Sequence, residues 1–202
     1  MKTVIFGCLL ASALALSSRD VVAQKGYTAG SVVADFTLND VDGVKRTLKG
    51  LAEGKKFVVV CFWSRECEAV RASETRLQKL YDDFEAKGVA FVRLVSNKKE
   101  NKAEDDVKKT KESLALRKVK WTALLDVDNK VADAFDAKVT PAFYVIDAKD
   151  LKVAYAGALT DDPWKSVKVA KDYVKDALDL LLASKPVVTT AVKAEGTSLK
   201  KV

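Results

Sequence analysis

Residues 57–71 read FVVVCFWSRECEAVR: seven apolar residues, a short polar turn, and the beginning of an amphipathic segment. A continuous apolar run of this length predicts a β-strand over 57–63 that is buried on both faces of a sheet. Cys67 stands where the strand has ended and the next element begins. The stretch therefore predicts a buried strand that leads into an α-helix, with a thiol at the junction.

Regular patterning continues on the C-terminal side of this junction. Apolar residues at helical spacing predict a helix from Glu68 to Lys87, which Gly88 ends. Residues 89–95 form another apolar run and predict a second buried strand. Similar patterns predict helices over 102–118, 129–135 and 165–182 and strands over 121–125, 142–146 and 152–155. Strands and helices in this order indicate an α/β protein with a mixed sheet that is parallel in its first half.

The two ends of this pattern differ in character. Residues 30–40 and 44–48 carry short apolar alternation around Asp42-Gly43, which predicts an N-terminal β-hairpin. Residues 186–202 are polar and weakly patterned. We expect them to form a flexible C-terminal tail that contributes little to stability.

The first 23 residues have the pattern of a secretory signal peptide. Lys2 gives a short positive region, residues 3–16 are apolar and uncharged, and small residues lead to Ala23. The apolar stretch is shorter than the about 20 residues of a transmembrane helix. We therefore expect an exported protein, periplasmic or secreted, with its domain at 24–185 and no membrane association after cleavage.

The composition of the chain excludes several kinds of catalytic and binding site. The chain has 202 residues, of which 49% are hydrophobic, and this suits one packed domain. It contains no histidine, which excludes Ser-His-Asp and Cys-His catalysis and histidine zinc sites. The net charge is +7, but basic and acidic residues alternate in stretches such as 97–111, so no nucleic-acid partner is predicted. A soft thiol ligand without histidine also predicts no metal, and no cofactor is expected.

The cysteines have different expected roles. Cys8 lies in the signal peptide, Cys61 lies inside the buried strand, and Cys67 lies at the beginning of the helix. A thiol within a strand and a thiol at the following helix are expected to be too far apart for a disulfide. We therefore expect Cys61 to be an inert core residue and Cys67 to be a free thiol.

The surroundings of Cys67 act on its thiolate in opposite directions. Unpaired amides and the positive end of the dipole at a helix N-terminus favour the thiolate. Arg65 and Arg71 also favour it, whereas Glu66 and Glu68 oppose it. The helix end and Arg71 are expected to prevail narrowly.

The turn at 62–71 resembles the active-site turn of thioredoxin-like redoxins, the exported thiol-disulfide oxidoreductases grouped with the alkyl hydroperoxide reductase and thiol-specific antioxidant proteins. Further motifs resemble those of this family and follow in its order: VADFTL at 33–38, VADAF at 131–135, VTPAF at 139–143, and YAG at 155–157 followed by Asp161-Asp162. The resemblance covers roughly 28–184. It implies a thioredoxin-like fold, with a central mixed β-sheet flanked by helices and an added N-terminal hairpin.

The resemblance also implies a set of site residues. Cys67 corresponds to the reactive cysteine, and Thr140-Pro141 to a cis-proline loop that docks the substrate backbone beside the sulfur. Ser64 corresponds to the Thr or Ser that peroxidase members have three residues before the reactive cysteine. Arg71 is a further candidate site residue because its charge favours the thiolate, not because of the resemblance. The implied activity is redox chemistry on protein thiols and disulfides or on peroxides, of the antioxidant and redox-homeostasis type, with an external thiol as reductant.

Several family positions hold other residues in this chain. Val70 stands where a dithiol redoxin has its second cysteine, and Gly196-Thr197 stands where a related group has Gly-Cys in its tail. Peroxidase members have a proline seven residues and a Thr or Ser three residues before the reactive cysteine. Val60 replaces the proline, and Ser64 keeps the second position, so half of this pattern is present. The pattern therefore indicates a redoxin that uses one cysteine.

Two functions are consistent with this pattern. The first is a redoxin in which Cys67 attacks a disulfide or a peroxide and an external thiol resolves the product. The second is a non-catalytic binding module with a thioredoxin fold that has lost its resolving cysteine. The missing second thiol favours the module, and the retained Cys67 and Thr140-Pro141 favour the redoxin.

Overall fold

The structure is a computed structural model that describes residues 26–164 and 169–201. The predicted signal peptide at 1–23 lies outside the described residues. Within them, no helix has the length and apolar character that a membrane crossing requires.

A central sheet of eight strands carries the fold. In sheet order its members are β2 (Lys45–Thr47), β1 (Thr37–Asp40), β5 (Thr122–Leu125), β4 (Val89–Val95), β3 (Phe57–Trp63), β7 (Ala142–Asp147), β8 (Val153–Gly157) and β9 (Ala191–Val192). Strand β3 pairs in parallel with β4 and antiparallel with β7. The predicted mixed sheet is confirmed.

Helices cover both faces of this sheet. One face packs against α2 (Glu68–Phe84), α3 (Glu104–Leu116) and α5 (Tyr173–Leu182), and the other against α1 (Leu48–Ala52) and α4 (Lys130–Ala134). All seven residues of β3 are buried because side chains from both faces enter a hydrophobic core. The buried-strand prediction for 57–63 is confirmed. Ser64, the residue after the strand, therefore lies at the carboxyl end of a central strand of the sheet.

The last helix begins later than the helical pattern predicts. The predicted helix covers 165–182, but α5 begins at Tyr173, and residues 165–168 lie outside the described residues. Asp172 caps the helix, since its carboxylate accepts a hydrogen bond from the Lys175 amide at 3.4 Å. Just before the cap, Asp161 accepts hydrogen bonds from the amides of Ala170 and Lys171, each at 3.2 Å, which holds this part of the chain outside the helix.

The C-terminal segment differs from the expected flexible tail, because the described part of it is paired with the domain. Strand β9 lies beside β8, and a further strand, β10 (Thr197–Ser198), pairs with β6 (Val139–Thr140) in a separate two-stranded sheet. The glycines make this close approach possible. A Cβ atom at Gly157 would overlap the carbonyl of Val192.

Candidate active site

Cys67 is the N-cap residue of α2, directly after the turn that follows β3. Its amide donates to the Ser64 carbonyl at 3.3 Å, and its carbonyl accepts from the Arg71 amide at 3.0 Å as the first turn of the helix forms. The thiol therefore stands at the end of a 17-residue helix where backbone amides lack helical partners. The predicted position of Cys67 is confirmed.

The thiol contacts the loop between β6 and β7. Cys67 Sγ donates a hydrogen bond to the carbonyl oxygen of Thr140 at 2.9 Å. The next peptide bond, Thr140-Pro141, is cis, as the sequence predicts. Thr140 is completely buried. The sequence-predicted residues Cys67, Thr140 and Pro141 are thus brought together.

Two opposing effects set the pKa of Cys67. Burial raises the pKa of the thiol, because a thiolate loses solvation inside the protein. Hydrogen bonds from Thr140, Thr197 and the Val70 amide act in the other direction and outweigh burial. The pKa of Cys67 is therefore lowered, which favours the nucleophilic thiolate.

A buried carboxylate holds the active-site turn. Glu100 is 1% exposed and accepts hydrogen bonds from the Ser64 hydroxyl at 2.6 Å and from the Arg65 amide at 3.0 Å. Asn97 adds a longer bond from its side-chain amide at 3.3 Å. Ser64 thus supports the shape of the turn. Glu100 was not predicted, because it lies in the charged stretch 97–111, whose pattern is typical of a solvated surface.

The two arginines near the thiol have other partners. The Arg65 guanidinium donates to the carbonyl of Asp106 at 2.7 Å and to the Thr110 hydroxyl at 3.0 Å, which ties the turn to α3. Arg71 is exposed and donates to the Glu66 carbonyl at 3.4 Å. Their predicted support of the thiolate stays a prediction, since the hydrogen bonds described above come from other groups.

The second cysteine is sealed in the core, as predicted. Cys61 is 0% exposed in β3, and both Cys61 and Cys67 are free thiols. Burial raises the pKa of Cys61 far above its ordinary value. Trp63 and Trp121 are also core residues, and the buried Arg93 guanidinium lies over both rings at 5.4 and 5.0 Å. None of these groups is placed to resolve an intermediate on Cys67.

A helix-terminal thiol beside a cis-proline loop defines the geometry of the site, and the comparison with protein families agrees with it. Residues 29–156 match the model of the AhpC/TSA family. The chain belongs to this family. Membership confirms the thioredoxin-like resemblance and places the chain among redoxins, whose general chemistry is thiol–disulfide or peroxide redox.

Solved structures from other organisms share the fold. A hypothetical protein from Sinorhizobium meliloti is 28% identical with a TM-score of 0.78, over 88% of this chain and 96% of that one. An uncharacterized conserved protein from Geobacillus kaustophilus is 32% identical with a TM-score of 0.78, over 86% and 92%. A peroxidoxin from Mycobacterium tuberculosis is 21% identical with a TM-score of 0.57, over 78% and 96%, which shows the fold alone. No curated protein matches the chain.

Proposed function

We propose that the protein is an exported oxidoreductase in which Cys67 alone carries out thiol–disulfide or peroxide chemistry. The observation that carries the proposal is the thiol at the N-terminus of α2, within 2.9 Å of the Thr140 carbonyl and with a lowered pKa. A thiolate is the attacking species in both reactions. The loop at Thr140-Pro141 offers backbone groups beside the sulfur for an incoming protein substrate.

The two reactions begin in the same way. With a disulfide substrate, the Cys67 thiolate attacks one sulfur, the S–S bond breaks, and the other sulfur leaves as a thiolate. With a hydroperoxide, the thiolate attacks one oxygen, the O–O bond breaks, and the leaving oxygen takes up a proton to give water or an alcohol. Cys67 is left as a mixed disulfide in the first case and as a sulfenic acid in the second.

An external thiol completes either cycle in this proposal. It condenses with the sulfenic acid to give a mixed disulfide and water, and a second thiol then releases reduced Cys67 with formation of an external disulfide. Val70 stands at the position of a resolving cysteine and is fully buried. Val70 has no thiol, and Cys61 is fully buried, so neither residue can take the place of the external thiol.

The proposed location rests on the N-terminal sequence. Lys2, the uncharged apolar residues 3–16 and the small residues before Ala23 have the pattern of a signal peptide. We place the mature protein in the periplasm or outside the cell. Fractionation of cells that produce the full chain, with mass determination of the exported N-terminus, tests this part separately.

One observation favours the second candidate, a binding module without turnover. Cys67 is 0% exposed, so a substrate cannot reach the thiol in the described conformation. A thioredoxin-fold module that binds a partner would not need access to this sulfur. The experiment must therefore test the chemistry of Cys67 directly.

The test combines peroxide oxidation with the pH dependence of alkylation, with Cys67→Ser as the control. We expect a sulfenic-acid probe to label Cys67 after peroxide treatment, and the alkylation midpoint to lie below the ordinary thiol value of about 8.5. Insulin reduction should be far slower than with a dithiol redoxin. An intramolecular Cys61–Cys67 disulfide would contradict the single-thiol mechanism. No oxidation together with an ordinary midpoint would favour the binding module.

A further inference from the structure

The C-terminal segment lies directly on the loop that carries Thr140-Pro141. Strand β10 pairs antiparallel with β6, with Thr197 opposite Thr140 and Ser198 opposite Val139. These are the two residues that precede Pro141. The backbone edge beside the reactive sulfur is therefore already occupied by a strand of the same chain.

Contact between this segment and the site is close. A Cβ atom at Gly196 would overlap the carbonyl oxygen of Thr140, so only glycine allows the strand to lie this near. The neighbouring Thr197 reaches the thiol, since its hydroxyl and its amide both form hydrogen bonds that lower the pKa of Cys67. A small cavity of about 80 Å³ separates Thr197 and Ser198 from Ser64 and Glu100 at the turn.

Backbone bonds on both sides fix the register of the segment. The Leu199 amide donates to the carbonyl of Lys138 at 2.8 Å. The Lys200 amide donates to Asn97 Oδ1 at 2.8 Å, and the Lys200 carbonyl accepts from the Lys98 amide at 3.0 Å. The segment thus bridges β6 and the loop after β4, as an added β-strand would.

The same segment has little apolar anchoring. Thr197, Ser198 and Lys200 are exposed, and Leu199 is the one large apolar side chain within residues 196–200. Segments with few buried apolar contacts open locally at a low free-energy cost. The strand is consequently positioned with a defined register but weakly held.

We propose that residues 196–200 are an internal occupant of a peptide-binding edge on β6, and that an extended segment of a substrate protein reaches Cys67 by replacing them. The ligand is a polypeptide backbone in extended conformation, added antiparallel to β6, with a glycine-sized residue at the close approach to Thr140. The identity of the incoming segment as a substrate rests on the proposed function. The displacement itself depends only on the pairing described above.

Displacement has a measurable consequence. If the closed form predominates, a reagent reaches Cys67 only through the open fraction, so its rate of reaction rises in proportion to that fraction. A valine at position 196 cannot lie against the Thr140 carbonyl and should shift the chain toward the open form. Gly43 supplies a matched control, because a Cβ there meets open space although its φ is also positive.

The experiment measures iodoacetamide labelling of Cys67 by mass spectrometry, at a pH above the alkylation midpoint, in the purified wild type, G196V and G43A. We expect labelling of G196V to be about tenfold faster or more, with G43A at the wild-type rate and Cys61 unlabelled throughout. A synthetic peptide of residues 190–201 should slow the labelling of G196V. The same peptide with valine at position 196 should have no effect.

Equal labelling rates in the wild type and G196V would overturn the proposal, as would equal acceleration in G43A. L199A removes the one large apolar side chain of the segment and should also open it, without a steric clash. A folding defect that is specific to G196V therefore does not decide the result. Redox activity enters none of these measurements. A thiol that is released by G196V but never oxidised would refute the proposed function and leave the peptide-binding edge intact.

Discussion

The proposed chemistry depends on how a few polar groups surround one buried sulfur. Cys67 lies at a helix N-terminus, in contact with the loop that bears Thr140. Burial alone raises the pKa of the thiol, and the hydrogen bonds around it reverse this effect. Individual hydroxyl donors should therefore be measurable through the titration of the sulfur.

The hydroxyl of Thr140 offers the most direct measurement. In Thr140→Val the side chain keeps its shape but loses the donor, so the pKa of Cys67 should rise. The pH dependence of Cys67 alkylation should show a midpoint shifted upward, with a smaller thiolate fraction at any given pH below it. Thr189→Val is the matched control, because Thr189 is exposed. An unchanged or lower midpoint would show that the Thr140 hydroxyl does not stabilise the thiolate.

At this scale the sequence identifies some residues of the site and not others. Cys67 and Thr140-Pro141 were predicted because each lies in a local motif with a recognisable neighbourhood. Glu100 was not predicted, because nothing in its local sequence distinguishes it from surface residues. Thr197 was noted only as a family position that lacks its cysteine, in a segment expected to be flexible. Both residues enter the site through contacts with residues 35 or more positions away along the chain.

Among the elements, the active-site turn depends most on one carboxylate. Replacing Glu100 by alanine leaves the Ser64 hydroxyl and the Arg65 amide without their buried acceptor. An unsatisfied buried polar group costs about 1–3 kcal/mol, so E100A should lower the free energy of unfolding by at least that amount. Urea denaturation measures the loss, and E112A, an exposed position on α3, should change little. A similar small effect in E100A would mean that water replaces the carboxylate.

The hairpin of β1 and β2 is expected to make stability depend on pH. Burial raises the pKa of Asp40, but bonds from the Val44 amide, the Arg46 side chain and the Asp42 amide lower it overall. A lowered carboxyl pKa stabilises the fold above the ordinary value of about 3.9, and this contribution is lost as pH falls through the folded-state pKa.

The Asp40 prediction is therefore a pH-dependent difference between variants. The wild type should be more stable than D40N near neutral pH, and the difference should shrink as the solution is acidified below about pH 4. Unfolding in urea across this range measures it. D42N changes an exposed carboxylate of the same turn and serves as the control. A wild-type advantage that is constant with pH would exclude the charge of Asp40 as its source.

Element boundaries were predictable where packing and local sequence agree. The buried strands at 57–63 and 89–95 have the predicted bounds, because their apolar runs fill both faces of the sheet. The helix over 165–182 did not have its predicted start, because the capping bond of Asp172 sets the first turn. Strands β9 and β10 have two residues each, which is too short for a hydrophobic alternation to appear in the sequence.

At the scale of the whole molecule, the site lies at the carboxyl ends of the parallel strands β3 and β4 and is closed by the chain's last residues. Ser64 follows β3, Asn97 and Glu100 follow β4, and the C-terminal segment crosses both. Open α/β sheets commonly bind their ligands at this edge. The domain thus places the Cys67 thiol beneath a strand of its own chain.

The two parts of the C-terminal segment should contribute differently to stability. Around β9, Val187 and Val192 pack against one core. The carbonyls of Thr190 and Val192 accept hydrogen bonds from the amides of Ala156 and Ala158 at 3.1 and 3.2 Å. The part with β10 packs one large apolar side chain, Leu199, against the other core, and its Thr197, Ser198 and Lys200 are exposed. We therefore expect β9 to anchor the segment while β10 exchanges with the substrate.

Stepwise truncation tests this division. Ending the chain after Ala194 removes β10 alone, and should lower the free energy of unfolding by no more than about 1 kcal/mol, the scale of an ordinary surface change. Ending it after Ser184 also exposes the edge of β8 and the core under Val187 and Val192, so the loss should exceed that value. Urea unfolding measures both, with Val188→Ala as the control at a side chain that is 85% exposed. A loss below about 1 kcal/mol on ending the chain after Ser184 would show that the segment is the flexible tail that its sequence suggests. A large loss on ending it after Ala194 would mean that β10 is a fixed part of the domain.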